Sequence, residues 1–236
     1  MPDICLLNPT FPFNFEIVRS KRKHMIISVK DGRVEVRAPL YSSRKWIHEF
    51  VLSQKNWIQG ELAKQRRQLR QRLVIADGRE IMLFGKPRTI VVLVSNRQSV
   101  RSTRDFLFIH TRSNSPEHME RLFNSWLKGK ATEWMTAETW KIAQLLGVDR
   151  KLKRVNFRRT RTKWGHCSTD GVIQYNYLTM MAPREVIRYL IVHECSHLRH
   201  MDHSRRFWGL VESLCPNYAE LRHWLAENGH RFWTRQ

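Results

Sequence analysis

The chain has 236 residues, of which 42% are hydrophobic, so it can form one large domain or two small ones. Its 42 lysines and arginines outnumber 21 acidic residues and give a formal net charge of +21, which favours an anionic partner such as a nucleic acid or a nucleotide. No apolar stretch is long enough to cross a membrane, and residues 1–7 lack the basic start of a signal peptide. The four cysteines show no disulfide spacing. We therefore predict a cytoplasmic protein without a membrane segment; its oligomeric state is not indicated.

The first part of the chain is typical of strands followed by a helix. Residues 1–14 are rich in proline and asparagine and predict an irregular terminus, whereas apolar and polar residues alternate from Phe15 onward. The Asp31-Gly32 pair predicts a β-hairpin. Ser42 or Ser43 can cap a helix whose basic end, residues 64–72, is either solvated or a nucleic-acid contact. The predicted apolar face of this helix consists of Trp46, Ile47, Phe50, Val51, Trp57, Ile58 and Leu62.

The hydrophobic period changes from strands to helices near residue 115. Strands are predicted at 80–84, 89–94 and 106–109, with a mobile polar loop at 95–104. From Pro116 the apolar residues recur at helical spacing, and the helix should end at Gly147. We therefore predict an α+β fold with an irregular stretch at 1–14, a β-rich subdomain at 15–115 and a helical, metal-binding catalytic subdomain at 116–236.

An H-E-x-x-H motif, from His193 to His197, is the strongest functional signal in the chain. It lies in a segment with buried-helix spacing that follows Pro183, and Pro favours the first turn of a helix. Residues four apart project from the same side of a helix, so His193 and His197 can bind one zinc ion together. Glu194 between them can act as the base of a metal-dependent hydrolase.

The third metal ligand is predicted less directly. His200 lies too far along a continuing helix to share an ion with His193. His203 can do so only if the helix ends near His200, which the Asp202-His203-Ser204 sequence permits. His203 also occupies the third-histidine position of zincins with a longer motif, and Glu212 is an alternative ligand. We expect one zinc ion per chain, although another divalent metal would also suit these ligands.

The remaining segments predict a strand at 172–177 and two further helices. In zincins an edge strand beside the metal helix receives the peptide substrate, but the sequence does not indicate whether the strand at 172–177 has this role. One helix should end at Cys215-Pro216, and the last should span 217–226.

The sequence Arg161-Thr162-Lys163-Trp164-Gly165-His166-Cys167 resembles the R-x-x-W-G-S-C signature of YgjP-like metal-dependent hydrolases. The resemblance extends from about Phe15 to Trp224, and His166 replaces the usual serine. It implies a zincin-like metallopeptidase domain, related to SprT-like and WLM-type proteases, some of which act on DNA-bound proteins. It also implies metal ligation by the three histidines and a base role for Glu194. The further matches, in chain order, are Asn176, Ala182-Pro183, His193 to His197, His203-Ser204, Phe207-Trp208, Pro216 and Trp224-Leu225.

The leading hypothesis is therefore a zinc metallopeptidase that acts on a peptide or protein. Two alternatives follow from the basic charge: a metal-dependent nucleotide pyrophosphatase, and a nucleic-acid-binding module whose metal site is structural. Asp202 and Glu212 are candidates for orienting the metal-binding histidines. The candidates for contacting the substrate or its developing oxyanion are Arg161, Lys163, His166 and Tyr175.

Overall fold

The computed structural model describes residues 3–5, 11–160 and 162–233 of the chain. The chain divides into two compact units, Met1–Gln71 and Arg72–Gln236. The predicted boundary near residue 115 falls inside the second unit, where the strands before it and the helix after it share one hydrophobic core. Among the described residues, no helix has both the length and the apolar character needed to span a membrane.

The first unit begins with a four-stranded sheet in the order β1-β2-β4-β3. The strands β2 and β4 run parallel, while the other two pairs are antiparallel. The predicted hairpin joins β3 to β4, and Asp31 and Gly32 both have positive φ (50° and 76°), as a two-residue hairpin loop requires. The strand β1 lies within the segment predicted to be irregular, of which residues 1–2 and 6–10 are outside the described residues. The strands are β1 (Asp3–Cys5), β2 (Phe15–Ser20), β3 (Ile26–Lys30) and β4 (Arg33–Pro39).

Two helices, α1 (Arg44–Ser53) and α2 (Lys55–Arg70), follow where one helix was predicted. Ser43 caps α1 as predicted, because its hydroxyl accepts a hydrogen bond from Trp46 N. Trp46 and Trp57, predicted to face inward, are 49% and 48% exposed, because they lie at the side of the apolar stripe whose centre enters the core. The residues of these helices that enter the core are Ile47, Val51, Ile58 and Leu62.

The second unit also opens with a four-stranded sheet, in the order β5-β6-β8-β7. Its pattern of antiparallel, parallel and antiparallel pairs repeats that of the first sheet, although no repeat is visible in the sequence. The prediction of a loop at 95–104 was wrong in part, because it contains β7. This strand alternates exposed polar residues with partly buried ones and forms one edge of the sheet. The strands are β5 (Glu80–Leu83), β6 (Lys86–Val94), β7 (Ser99–Ser102) and β8 (Phe106–Thr111).

A long helix, α3 (Pro116–Leu145), crosses the core of the second unit. Ser115 caps its N-terminus with a side-chain hydrogen bond from His118 N. The chain leaves the helix through Gly147, whose φ of +63° is the left-handed conformation that ends many helices. The core residues that α3 supplies are Met119, Phe123, Leu127, Ala131, Met135, Ile142 and Ala143.

A third sheet lies beside the helix that carries the H-E-x-x-H motif. In this sheet β11 is central: it pairs antiparallel with β10 and parallel with β9. The molecule is thus α+β, as predicted. The elements are β9 (Arg154–Arg158), β10 (Gly165–Cys167), β11 (Val172–Asn176), α4 (Arg184–His197), α5 (Arg205–Leu214) and α6 (Tyr218–Asn228), with short 3-10 helices at Asp149–Lys151, Tyr177–Met181 and Gly229–Phe232.

Candidate metal centre

Three histidine rings converge at the C-terminal end of α4. The rings of His193 and His197 have centroids 5.0 Å apart, as residues on adjacent turns of one helix should. The helix ends at His197, so the chain turns back before His200 and brings His203 to the same place. The Nε2 atoms of His193 and His203 are 3.3 Å apart, and one ligand atom from each of the three rings lies within 4.8 Å of the others.

The distance between His193 Nε2 and His203 Nε2 is close to the spacing of two nitrogen ligands on one zinc ion. Nitrogen ligands about 2.1 Å from a tetrahedral zinc ion are about 3.4 Å from one another. His197 Nδ1 lies 3.1 Å from the carbonyl oxygen of His200, which leaves its Nε2 as the ligand atom. His193 Nδ1 is buried and has no hydrogen-bond partner among the described residues. The three rings can therefore hold a metal ion.

Two aromatic residues of α5, Phe207 and Trp208, pack against the three histidine rings. Phe207 is fully buried, and its ring centroid is 5.0, 4.4 and 4.8 Å from those of His193, His197 and His203. Trp208 stacks on His203 with a centroid distance of 5.6 Å. Because α5 begins directly after His203, the turn that places the His203 imidazole also places Phe207 and Trp208.

The electrostatics of the site favour neutral imidazoles. Burial, followed by the proximity of His197, His203 and Arg222, lowers the pKa of His193 to about 3. Burial also lowers the pKa of His197. Both rings are consequently neutral near pH 7, which is the form that binds a metal ion.

Glu194 lies behind the histidines and is only 4% exposed. Burial raises the pKa of its carboxyl to about 8, against the opposing charge of Lys163. The carboxyl is packed against Gly165 of β10, where a Cβ atom would lie 2.6 Å from Glu194 Cδ. A side chain at this position would overlap the carboxyl group, so Glu194 would have to move to accommodate it.

The strand next to Glu194 is β10, at one edge of the third sheet. The strand in the segment 172–177, β11, is not an edge strand, because it is paired on both sides. Trp164 O accepts from Asn176 N, and Ser168 N donates to Val172 O, so the even-numbered residues of this segment bond to β11. By the alternation of an antiparallel pair, the main-chain groups of Gly165 and Cys167 face away from β11.

The other predicted site residues are dispersed. His166 is exposed on β10, and its charge lowers the pKa of His197. Tyr175 is fully buried, with its hydroxyl 3.3 Å from Thr139 Oγ1, so it lies in the core behind the site. Asp202 is exposed near His197, whose pKa its charge raises. Arg161 lies outside the described residues.

Glu212 is exposed on α5, and the structure shows no contact between it and the histidines. The structure therefore brings His203 to the pair on α4, and not Glu212. His200 contributes its carbonyl oxygen, which accepts a hydrogen bond from His197 Nδ1.

A cavity of about 350 Å³ opens beside His193 and Glu194. Lys163 lines it, as do two residues that sequence reasoning missed, Tyr189 and Arg222. Tyr189 is four residues before His193 on α4, so helical spacing contained the signal for its position. Arg222 is on α6, and no motif links it to the site.

Comparison with known proteins agrees with this geometry. A family model described as "YgjP-like, metallopeptidase domain" matches residues 23–228. The molecule is accordingly a metal-dependent hydrolase of the metallopeptidase class. The chain belongs to the YgjP-like family.

Comparisons with curated sequences and with solved structures add little to the family assignment. No curated protein sequence matches the chain. Among solved structures, the chain is similar to the metallopeptidase zymogen abylysin of Pyrococcus abyssi, at 23% identity and a TM-score of 0.38, over 42% of this chain and 98% of that one.

Proposed function

We propose that this protein is a zinc peptidase in which His193, His197 and His203 hold the ion and Glu194 is the general base. The observation that carries the proposal is the convergence of three imidazole ligand atoms within 4.8 Å beside a buried carboxyl group. Three neutral nitrogen donors are the ligand set of many catalytic zinc sites. A zinc ion in such a site acts as a Lewis acid and makes water nucleophilic near neutral pH.

Glu194 supplies the proton transfers of this mechanism. Its carboxyl receives the proton of the attacking water and passes it to the amine that leaves. Burial favours the protonated carboxyl and holds its pKa at about 8 despite the opposing charge of Lys163, so further positive charge, such as that of a bound metal ion, is needed to hold the ionised form. His166 and Lys163, both exposed beside the site, are the candidates for stabilising negative charge on the carbonyl oxygen.

The edge strand β10 supports a peptide as the substrate. An extended peptide can add to a sheet edge through main-chain hydrogen bonds, and the main-chain groups of Gly165 and Cys167 face the open edge, away from β11. Gly165 also contacts Glu194, so a peptide bonded to β10 would pass directly over the base.

Metal content and peptide hydrolysis, measured on the same preparations, test this proposal. We expect about one zinc per chain in the wild type and in Glu194→Gln, and a large loss in His203→Ala. Hydrolysis should be lost in both variants. The control is His24→Ala, an exposed histidine of the first unit, which should keep both metal and activity.

Two results would contradict the proposal. Full peptide hydrolysis by Glu194→Gln would exclude this carboxyl as the base. Phosphate release from nucleoside triphosphates without any peptide hydrolysis, abolished by His193→Ala, would instead show a phosphoanhydride hydrolase at the same site.

A further inference from the structure

The cavity beside Glu194 carries two positive charges, and the mechanism above uses only that of Lys163. Its walls come from three segments: residues 163–165, α4 and α6. Trp164, Leu190 and Leu225 make these walls largely apolar. Two cationic side chains, Lys163 and Arg222, stand among them, and Glu194 is the only acidic residue of the lining.

Both cations lack an acidic partner of their own. Among the residues that the structure describes, neither Lys163 nor Arg222 forms an ion pair or a hydrogen bond with a carboxylate. Their charges nevertheless act on the site, since Lys163 lowers the pKa of Glu194 and Arg222 lowers that of His193. A cationic pair at an apolar cavity is complementary to an anionic group on an apolar stem.

Arg222 is held in position by the aromatic residues of the metal centre. Its guanidinium carbon lies 5.3 Å from the ring centroid of Trp208, which is a cation–π distance. Trp208 in turn stacks on His203 and on Tyr218. The guanidinium is thus pre-positioned relative to the predicted metal ligands, so less conformational entropy is lost when it binds an anion.

We propose that this cavity is a specificity subsite in which Lys163 and Arg222 bind a carboxylate of the peptide substrate, an inference that rests on the proposed peptidase function. The carboxylate has two sources, an aspartate or glutamate side chain and the C-terminus of the peptide. In both cases the carboxylate meets the two cations while the carbon atoms next to it pack on the apolar walls. An acidic side chain would make the protein an endopeptidase with acidic preference, whereas a terminal carboxylate would make it a carboxypeptidase.

The cleavage test compares peptides that differ in one group. One series carries Glu, Gln or Lys at each position flanking the scissile bond, and a second ends in a free acid or an amide. We expect kcat/KM to be at least about tenfold higher for the acidic member of one series. Hydrogen bonds between charged groups contribute enough binding free energy to give a difference of this size. The series that shows the preference identifies the source of the carboxylate.

The ratio of kcat/KM for the acidic peptide to kcat/KM for its neutral counterpart measures the preference. The variants Lys163→Gln and Arg222→Gln should each reduce this ratio to within a few-fold of one. The ratio is informative because changes in metal content or in Glu194 affect both peptides equally. The matched controls are Lys128→Gln on α3 and Arg104→Gln between β7 and β8, both exposed and far along the chain from the cavity, which should keep the wild-type ratio. An unchanged ratio in both cavity variants, or no acidic preference in the wild type, overturns the proposal.

A binding measurement separates this proposal from the peptidase function. Calorimetric titration of Glu194→Gln with the preferred acidic peptide and with its neutral counterpart reports the subsite without turnover. Tighter binding of the acidic peptide, lost when Lys163→Gln or Arg222→Gln is added, supports the subsite even if the wild type cleaves no peptide. Equal binding of both peptides refutes the subsite, whether or not the wild type is a peptidase.

Discussion

Gly165 is the residue whose replacement tests the geometry of the base most directly. In Gly165→Ala the new Cβ would lie 2.6 Å from Glu194 Cδ, so the carboxyl group must move. We expect peptide hydrolysis to fall by about a hundredfold, because a displacement of about 1 Å has an effect of that size. Metal content should not change, since the three atoms nearest to the new methyl group all belong to Glu194.

The control for this prediction is Gly209→Ala on α5, where an added Cβ meets no atom within 4 Å. It should hydrolyse peptide like the wild type. Wild-type hydrolysis by Gly165→Ala would show that Glu194 tolerates displacement, and would argue against its role as a precisely placed base.

The thiols of the second unit should be unreactive in the folded protein. Cys167, Cys195 and Cys215 are buried, and burial, followed by the charges of Glu194 and Asp170, raises the pKa of Cys167 to about 12. At pH 8 only about one molecule in ten thousand would then carry the Cys167 thiolate, which is the reactive form. We expect iodoacetamide to label all three cysteines in denaturant but not in buffer, as peptide mapping by mass spectrometry would show. Rapid labelling of Cys167 in buffer would contradict the burial.

At the residue scale, the sequence was sufficient to predict that the three histidines converge but not to predict their surroundings. Helical spacing and the turn-forming residues around Asp202 predicted the convergence of His193, His197 and His203. Tyr175 was predicted to contact the substrate, yet it is fully buried, because alternation along a strand does not show which face is covered by a helix. Arg222 approaches the cavity only through the packing of α6, which no local pattern reports.

The long helix α3 offers a stability test at the scale of an element. Gly129 lies inside this helix, and an added Cβ would meet no atom within 4 Å. Gly129→Ala should therefore increase the free energy of unfolding by about 0.5–1 kcal/mol, since alanine loses less backbone entropy in a helix. Urea unfolding measures the change.

Gly147 provides the opposite expectation at the end of the same helix. Its φ of +63° is costly for any residue with a Cβ, so Gly147→Ala should lower the free energy of unfolding by about 1 kcal/mol. Equal changes in the free energy of unfolding for Gly129→Ala and Gly147→Ala would contradict both predictions.

Elements with a strong period were predictable, and short or interrupted ones were not. The amphipathic pattern predicted α3 and its end at Gly147. It could not reveal the break at Gln54, because one irregular residue leaves the local spacing almost intact. The strand β9 was missed within a basic run, since only Val155 and Phe157 turn inward between charged residues. The repeated strand order of the two larger sheets depends on pairing between distant segments, which periodicity does not report.

At the scale of the whole molecule, the net charge of +21 predicts a general affinity for polyanions. We expect retention on heparin at about 0.05 M salt and release as the salt concentration rises, because binding releases condensed counterions. Elution from a heparin column across a salt gradient measures this. Passage through the column at low salt would remove the charge-based reason for a nucleic-acid partner, and would leave the peptidase proposal unaffected.

The three histidines come from one continuous stretch, residues 193–203, whereas Gly165, which accommodates Glu194, comes from a strand that precedes this stretch in the chain. Local contacts form early in folding, and contacts between distant segments form later because a longer loop must close. We therefore expect refolding chains to recover metal binding before hydrolysis. Partly unfolded molecules should likewise retain an ion after they have lost activity.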